Sequence, residues 1–156
     1  RNVDRRKFLL AGGAGALALS GCGGGGGTGG DGKGGAPDGK GGTEPSGPEE
    51  VIRIVSSLPR TGSARGQTNT IVNGIQMAIE DYGGKIGRFK IEYTDMDDAT
   101  AAAGAWDGPT EKANAQKAIA DPDVMAYIGP YNSNAAKISM PELNEAGLVQ
   151  ISPAVT

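Results

Sequence analysis

"VMAYIGPYNSNAAKIS", residues 124–139, decides how this chain folds. Its first five residues are a short apolar run that reads as a buried β-strand. Gly129-Pro130 ends the run, and small polar residues at Asn132 and Ser133 open a helix predicted over 133–146. Pro141 is expected to kink or restart that helix, and Gly147 to stop it. A second apolar run, 148–151, follows and is broken by Ser152-Pro153. A strand, a helix and a second strand in close succession predict a parallel pair joined by a crossover. The helix N-terminus then lies at the carboxyl end of a strand. Whether solvent or a ligand meets it is the question on which function turns.

The same alternation reaches back to residue 51. Residues 51–55 read as a strand, bounded by Leu58-Pro59 and Gly62. Over 67–82, Ile71, Ile75, Ala78, Ile79 and Tyr82 fall on one helical face, and Gly83-Gly84 stops that helix. Residues 88–94 alternate Phe89, Ile91 and Tyr93 and read as a strand. Residues 109–120 are Ala-rich and helical, with Pro109 acceptable in the first turn, and Asp121-Pro122-Asp123 is a turn. The order β-α-β-α-β-α-β predicts an α/β domain: a parallel sheet, right-handed crossovers, helices on both faces. In such sheets ligands bind outside the carboxyl ends of the strands, at a topological switch point. Loops 58–67, 129–133 and 152–156 are placed there. The loop after the second strand joins them only if that strand lies near the switch point. The fourth strand is the last element read, so the sequence is taken as a piece of a longer protein.

Composition narrows the chemistry. A chain of 156 residues with a net charge of −3 suits one small domain or part of a larger one, and its mild acidity argues against a nucleic-acid partner. Histidine is absent, which removes the usual general base and the commonest metal ligand. The lone Cys22 allows neither an intramolecular disulfide nor a cysteine cluster. The opening "RNVDRRKFLLAGGAGALALSGC" places basic residues at 5–7 before a small-residue apolar run at 8–19, the layout of a secretory signal. That run is too short and too rich in Gly and Ala to span a membrane. Leu19-Ser20-Gly21-Cys22 resembles a bacterial lipobox, so residues 1–22 are expected to be a signal peptide and Cys22 the lipidated residue. Two acyl chains suffice for stable anchoring. Arg5-Arg6-Lys7-Phe8-Leu9 also resembles a twin-arginine signal, with Asp4 and Leu10 departing from its usual pattern. Residues 23–50 hold no aromatic or large aliphatic side chain and cannot offset their ordering entropy by burial. They read as a disordered tether with an r.m.s. span of about 30 Å, leaving 51–156 as the folded part.

Four stretches of that part carry a family likeness: "IRIVSSLPRTG", "TIVNGIQMAIED", the intervening "DDAT…WD", and "DPDVMAYIGPYNSNAAKISMPELNEAGLVQISPAVT". Through them, residues 51–156 resemble the first part of the branched-chain amino-acid-binding family, the type I periplasmic solute-binding proteins of ABC importers. The resemblance implies a three-layer parallel sheet in flavodoxin-like order. It would form part of the first lobe of a two-lobe protein that closes over its ligand. It implies that Ser133 contacts a ligand carboxylate, that the Ala154 carbonyl receives the ligand ammonium, and that Thr156 serves both groups. Gln67 replaces an aromatic that lines the cleft in the leucine/isoleucine/valine-binding member. A disulfide of that member has no counterpart here.

The residues themselves leave alternatives open. A helix N-terminus offers free N–H groups and a positive dipole end, and a serine there can donate to a carboxylate. Asn132 or Ser133 can equally cap the helix; the resemblance favours ligand contact. Tyr131, beside the site, either packs or faces the ligand, and Trp106 reads as a packing or cleft-rim residue. Asp95, Asp97 and Asp98 have the composition of a Mg²⁺, Ca²⁺ or phospho-receiver site. A receiver needs its acidic pair after the first strand, where Leu58-Pro59 stands, so these residues are read as a solvated or turn-capping loop and no metal is expected. Neither a G-x-G-x-x-G nor a G-x-S-x-G motif is present, which leaves dinucleotide and hydrolase readings without support. The sequence therefore predicts an exported, membrane-anchored, monomeric solute-binding protein without a cofactor. It is not an enzyme, and it captures an amino acid or related small solute for an ABC permease. The alternative is an ectodomain of the same fold that senses its ligand and signals.

Overall fold

The computed structural model describes residues 49–156. The predicted signal peptide, the lipidated Cys22 and nearly all of the tether lie outside the described residues. The elements in chain order are β1 (Glu50–Leu58), α1 (Arg65–Asp81), β2 (Lys85–Ile86), β3 (Phe89–Asp97), β4 (Ala99–Thr100), β5 (Ala105–Trp106), α2 (Gly108–Ala120), β6 (Val124–Ile128), α3 (Ser133–Glu145) and β7 (Val149–Ile151). All four predicted strands and all three predicted helices are present.

The main sheet has the order β2-β3-β1-β6-β7. β1 pairs in parallel with β3, from Glu50 opposite Phe89 to Leu58 opposite Asp97, and with β6 on its other side. β7 extends the sheet in parallel beyond β6. The chain thus leaves β1 in one direction to reach β3, then returns past β1 to β6. This reversal puts the switch point between the carboxyl ends of β1 and β6. The β-branched run Val51, Ile52, Ile54, Val55 suits the central position. Buried Ile52 and Val55 alternate onto opposite faces, as the two-residue period of a strand requires.

α2 and α3 pack together over one face, where Val55, Ala115, Ala118, Val124, Tyr127, Leu143 and Leu148 form one apolar cluster. Right-handed crossovers in this strand order carry α1 over the other face. α1 buries Thr68 and Val72. Ile71, Ile75 and Ile79 are half-buried, while Ala78 and Tyr82 are exposed, so the buried stripe is rotated from the predicted one. Asp107 caps α2 by accepting a hydrogen bond from the Thr110 N–H at 3.1 Å, with Pro109 in the first turn as expected. α3 runs through Pro141 as one helix and does not restart there.

Strand ends also differ from the sequence reading. β1 begins at Glu50, inside the predicted tether, and continues through Ser56 and Ser57 to Leu58. Both serines are fully buried, and hydrogen bonds to other side chains make that burial tolerable. β2 is an unpredicted antiparallel edge, joined to β3 across Gly87, whose φ of 56° suits the two-residue turn. β4 and β5 form an unpredicted two-stranded ribbon that holds Trp106 half-buried opposite Ala99.

Candidate functional site

Three chain segments leave the carboxyl edge of the sheet next to one another: those after β1, β6 and β7. Each is pinned by specific contacts. After β1, the Thr68 hydroxyl of α1 donates to the Pro59 carbonyl at 2.5 Å. The Arg60 N–H donates to Asp97 Oδ1 at 2.8 Å, and Arg60 Nε donates to Asp95 Oδ2 at 2.8 Å. Asp97 Oδ1 also accepts from the Ala99 N–H at 2.8 Å. Asp95 and Asp97 therefore hold the first exit loop and its neighbouring turn, which is the turn-capping role expected of them. Asp98 departs from that expectation: it is fully buried, and neither of its carboxylate oxygens has a hydrogen-bond partner among the described residues.

After β6, Gly129 adopts φ 132° and presses against β1. A β-carbon there would lie 2.2 Å from the Ser57 carbonyl oxygen, so only glycine allows the two exits to meet. The Gly129 N–H donates to the Ile151 carbonyl at 2.8 Å, and Gln150 Nε2 donates to the Gly129 carbonyl at 3.0 Å. The Gly129-Pro130 peptide is cis. After β7, the Ser152 hydroxyl donates to the Pro130 carbonyl at 2.8 Å and accepts from the Val155 N–H at 3.1 Å. Ser152 thereby folds 152–156 against the β6 exit.

α3 starts on this platform. Asn132, in extended conformation with φ −95° and ψ 132°, occupies the cap position, yet its side chain makes no capping hydrogen bond. Its Oδ1 is buried with no partner among the described residues. The Ser133 hydroxyl is likewise uncommitted among them. Tyr131, Asn132 and Ser133 are all half-buried. Gln67 is exposed in the first turn of α1, and Ala154 and Thr156 are exposed in the last segment. The six residues singled out by the sequence thus share one edge of the sheet. None is hydrogen-bonded to another among the described residues. The sequence reading missed what locks this edge, namely Gly129 and Ser152. Their signal was the two proline breaks that follow β6 and β7, Gly-Pro and Ser-Pro.

Beneath the edge lies a buried polar network. Ser57 Oγ donates to Glu111 Oε2 at 2.6 Å, Tyr127 Oη donates to Glu111 Oε1 at 2.9 Å, and Asn114 Nδ2 donates to Ser57 Oγ at 3.0 Å. Burial pushes the Glu111 carboxyl above its ordinary range, against the pull of hydrogen bonds from Ser57, Ser139 and Tyr127. Burial, helped by the negative charges of Glu111 and Asp97, pushes Asp98 up to about 7. Among the described residues no group of three or more acidic or cysteine side chains is arranged to hold a metal. A groove of about 420 Å³ lies elsewhere, along the open edge of β7, lined by Met140, Asn144, Gly147, Leu148, Val149 and Gln150. The strand exits instead form an open, one-sided wall.

Solved structures share this architecture. The branched-chain amino-acid transporter substrate-binding protein LivJ from Streptococcus pneumoniae, in complex with isoleucine, matches with a TM-score of 0.59 and 23% identity over 69% of this chain and 30% of its own. An ABC-transporter solute-binding protein from R. palustris, in complex with 4-hydroxybenzoate, matches with a TM-score of 0.60 and 20% identity over 69% of this chain and 28% of its own. Another from Rhodopseudomonas palustris, in complex with 3,4-dihydroxy benzoic acid, matches with a TM-score of 0.59 and 26% identity over 67% and 27%. This chain spans under a third of the length of each. No curated protein matches it. The family model described as "Periplasmic binding protein" matches residues 51–156. With that model covering the whole predicted domain, and with a mostly parallel sheet whose exits interlock at the switch point, the chain belongs to the periplasmic binding protein family.

Proposed function

We propose that this chain forms part of the first lobe of an extracytoplasmic solute-binding protein that captures a small carboxylate for an ABC importer and catalyses no reaction. The observation that carries the reading is the start of α3. The side chains of Asn132 and Ser133 are free of the capping bonds that would otherwise explain them, at a helix N-terminus on the switch-point edge. The ligands named for the similar structures are an amino acid and two benzoic acids. What these share is a carboxylate and not an ammonium group. Ser133 and the first N–H groups of α3 would bind the carboxylate, with Asn132 and Thr156 beside it. The Ala154 carbonyl would receive an ammonium group if the ligand is an amino acid. Gln67 and Tyr131 would face the remainder of the molecule. The second wall would come from another lobe, and a ligand buried between two walls is held far more tightly than one on a single face. Cys22 would anchor the whole at the membrane, and a permease would receive the solute.

The test is Ser133→Ala in the protein that carries both lobes, titrated calorimetrically with branched-chain amino acids and with 4-hydroxybenzoate. A hydrogen bond to a charged group is worth about 1.5–3 kcal/mol, so affinity for the bound ligand is expected to fall roughly ten- to a hundredfold. Unchanged affinity in a folded variant would assign Ser133 to the helix alone.

A further inference from the structure

Asp98 is a buried ionisable group of the site region for which the binding role supplies no use, and, unlike Glu111, it has no hydrogen-bond partner for its carboxylate among the described residues. It lies where three elements meet. Its N–H donates to the carbonyl of Leu58, the last residue of β1, and its own carbonyl accepts from the N–H of Asp107, the α2 cap. It also roots the β4–β5 ribbon, whose tip reaches the first exit loop. There the Gly104 carbonyl accepts from the Ser63 N–H, and a β-carbon on Gly62 would stand 2.1 Å from that same oxygen. The ribbon therefore braces one wall of the site.

Two carboxyl groups share this interior in unlike settings. Glu111 receives donors on both oxygens, from Ser57 and Tyr127, which partly offset the burial that raises its carboxyl. Both oxygens of Asp98 are buried without a donor among the described residues. An ionised carboxylate in that setting is costly, whereas a neutral one is tolerated. The charged groups acting on Asp98 are Glu111 from α2 and Asp97 beside it on β3, and a charge on Asp98 in turn acts on Tyr127 of β6. Arg60, the cation at the β1 exit, is engaged with Asp95, and Asp107 at the α2 cap is itself acidic, so neither offsets a negative charge on Asp98. We infer that Asp98 and Glu111 form a proton-dependent latch: Asp98 in its neutral form keeps the β4–β5 ribbon braced against the first exit loop, and its ionisation loosens that wall of the site.

The sign of the effect follows from linkage. The folded state raises the Asp98 pKa from 3.8 to about 7. Between those values the folded chain binds a proton that the unfolded chain has lost, so stability falls as pH rises through that window and levels off above it. The experiment is thermal unfolding of the full chain and of Asp98→Asn from about pH 5 to about pH 8.5. Asp98→Asn keeps the shape and removes the charge. It is expected to lessen the fall across the window and to melt at least about 5 °C above the parent at the alkaline end. Hydrogen-exchange protection of the Ser63 N–H should drop with rising pH in the parent and hold in the variant. Parallel melting curves would overturn the inference. Should the variant fail to fold, the parent alone decides through an NMR titration of the Asp98 carboxyl carbon. A midpoint near 7 supports the latch, and one near the ordinary value of about 4 overturns it.

Discussion

At Gly129, φ of 132° and a would-be β-carbon 2.2 Å from the Ser57 carbonyl oxygen leave no room for any other residue. Gly129→Ala should therefore push the β6 exit away from β1 and destabilise the fold by about 2 kcal/mol or more, read from urea unfolding. Ser152→Ala acts on the same platform more gently. It frees the Pro130 carbonyl and the Val155 N–H, and a lost hydrogen bond of this kind costs roughly 1 kcal/mol. Its diagnostic consequence is increased hydrogen exchange at Val155 while the core amides stay protected. The sequence named Ser133, Asn132 and Thr156 because helix-start and strand-end chemistry can be read from residue types alone. It could not name Gly129 or Ser152 as locks, since their importance lies in contacts with Ser57, Ile151 and Pro130, distant or brought near only by parallel pairing. Asp98 was misread for a related reason. Three acidic residues in four positions look solvated in one dimension, and only packing reveals that one of them faces inward.

The elements that were legible are those with a period long enough to count. β6 has the predicted bounds, and α2 differs by one residue at its start. Two-residue strands such as β2, β4 and β5 carry no period at all: β2 forms on the edge that β3 offers, and β4 and β5 pair only with each other. α1 illustrates an intermediate case. Its apolar residues were found, but the sheet below selected Thr68 and Val72 for burial and left Tyr82 outside. Thr68 belongs in that stripe because its hydroxyl has the Pro59 carbonyl to bond, a partner invisible in a hydrophobicity pattern. Paired substitutions separate the two faces. Val72→Ala should cost about 2 kcal/mol, whereas Tyr82→Ala should stay within about 0.5 kcal/mol, both measured by chemical denaturation. Had the predicted face been correct, Tyr82→Ala would have been the costly one.

For the whole molecule, the proposed function joins an address to a binding wall. Among the described residues no helix is long and apolar enough to cross a membrane; attachment is proposed at Cys22. Cys22→Ser should move the protein from the membrane to the soluble fraction of cells, and mass spectrometry of the parent should find a lipid-modified peptide starting at that residue. The central claim is that the interlocked exits of β1, β6 and β7 form a wall for a carboxylate ligand. It is tested most directly by recording amide spectra of the chain while isoleucine or 4-hydroxybenzoate is added, for the parent and for Ser133→Ala. The account predicts weak, saturable shifts at 131–135, 152–156 and the first exit loop, lost or strongly reduced in the variant. Shifts that instead cluster along the β7 groove near Met140 and Val149, or that persist unchanged in Ser133→Ala, would contradict it.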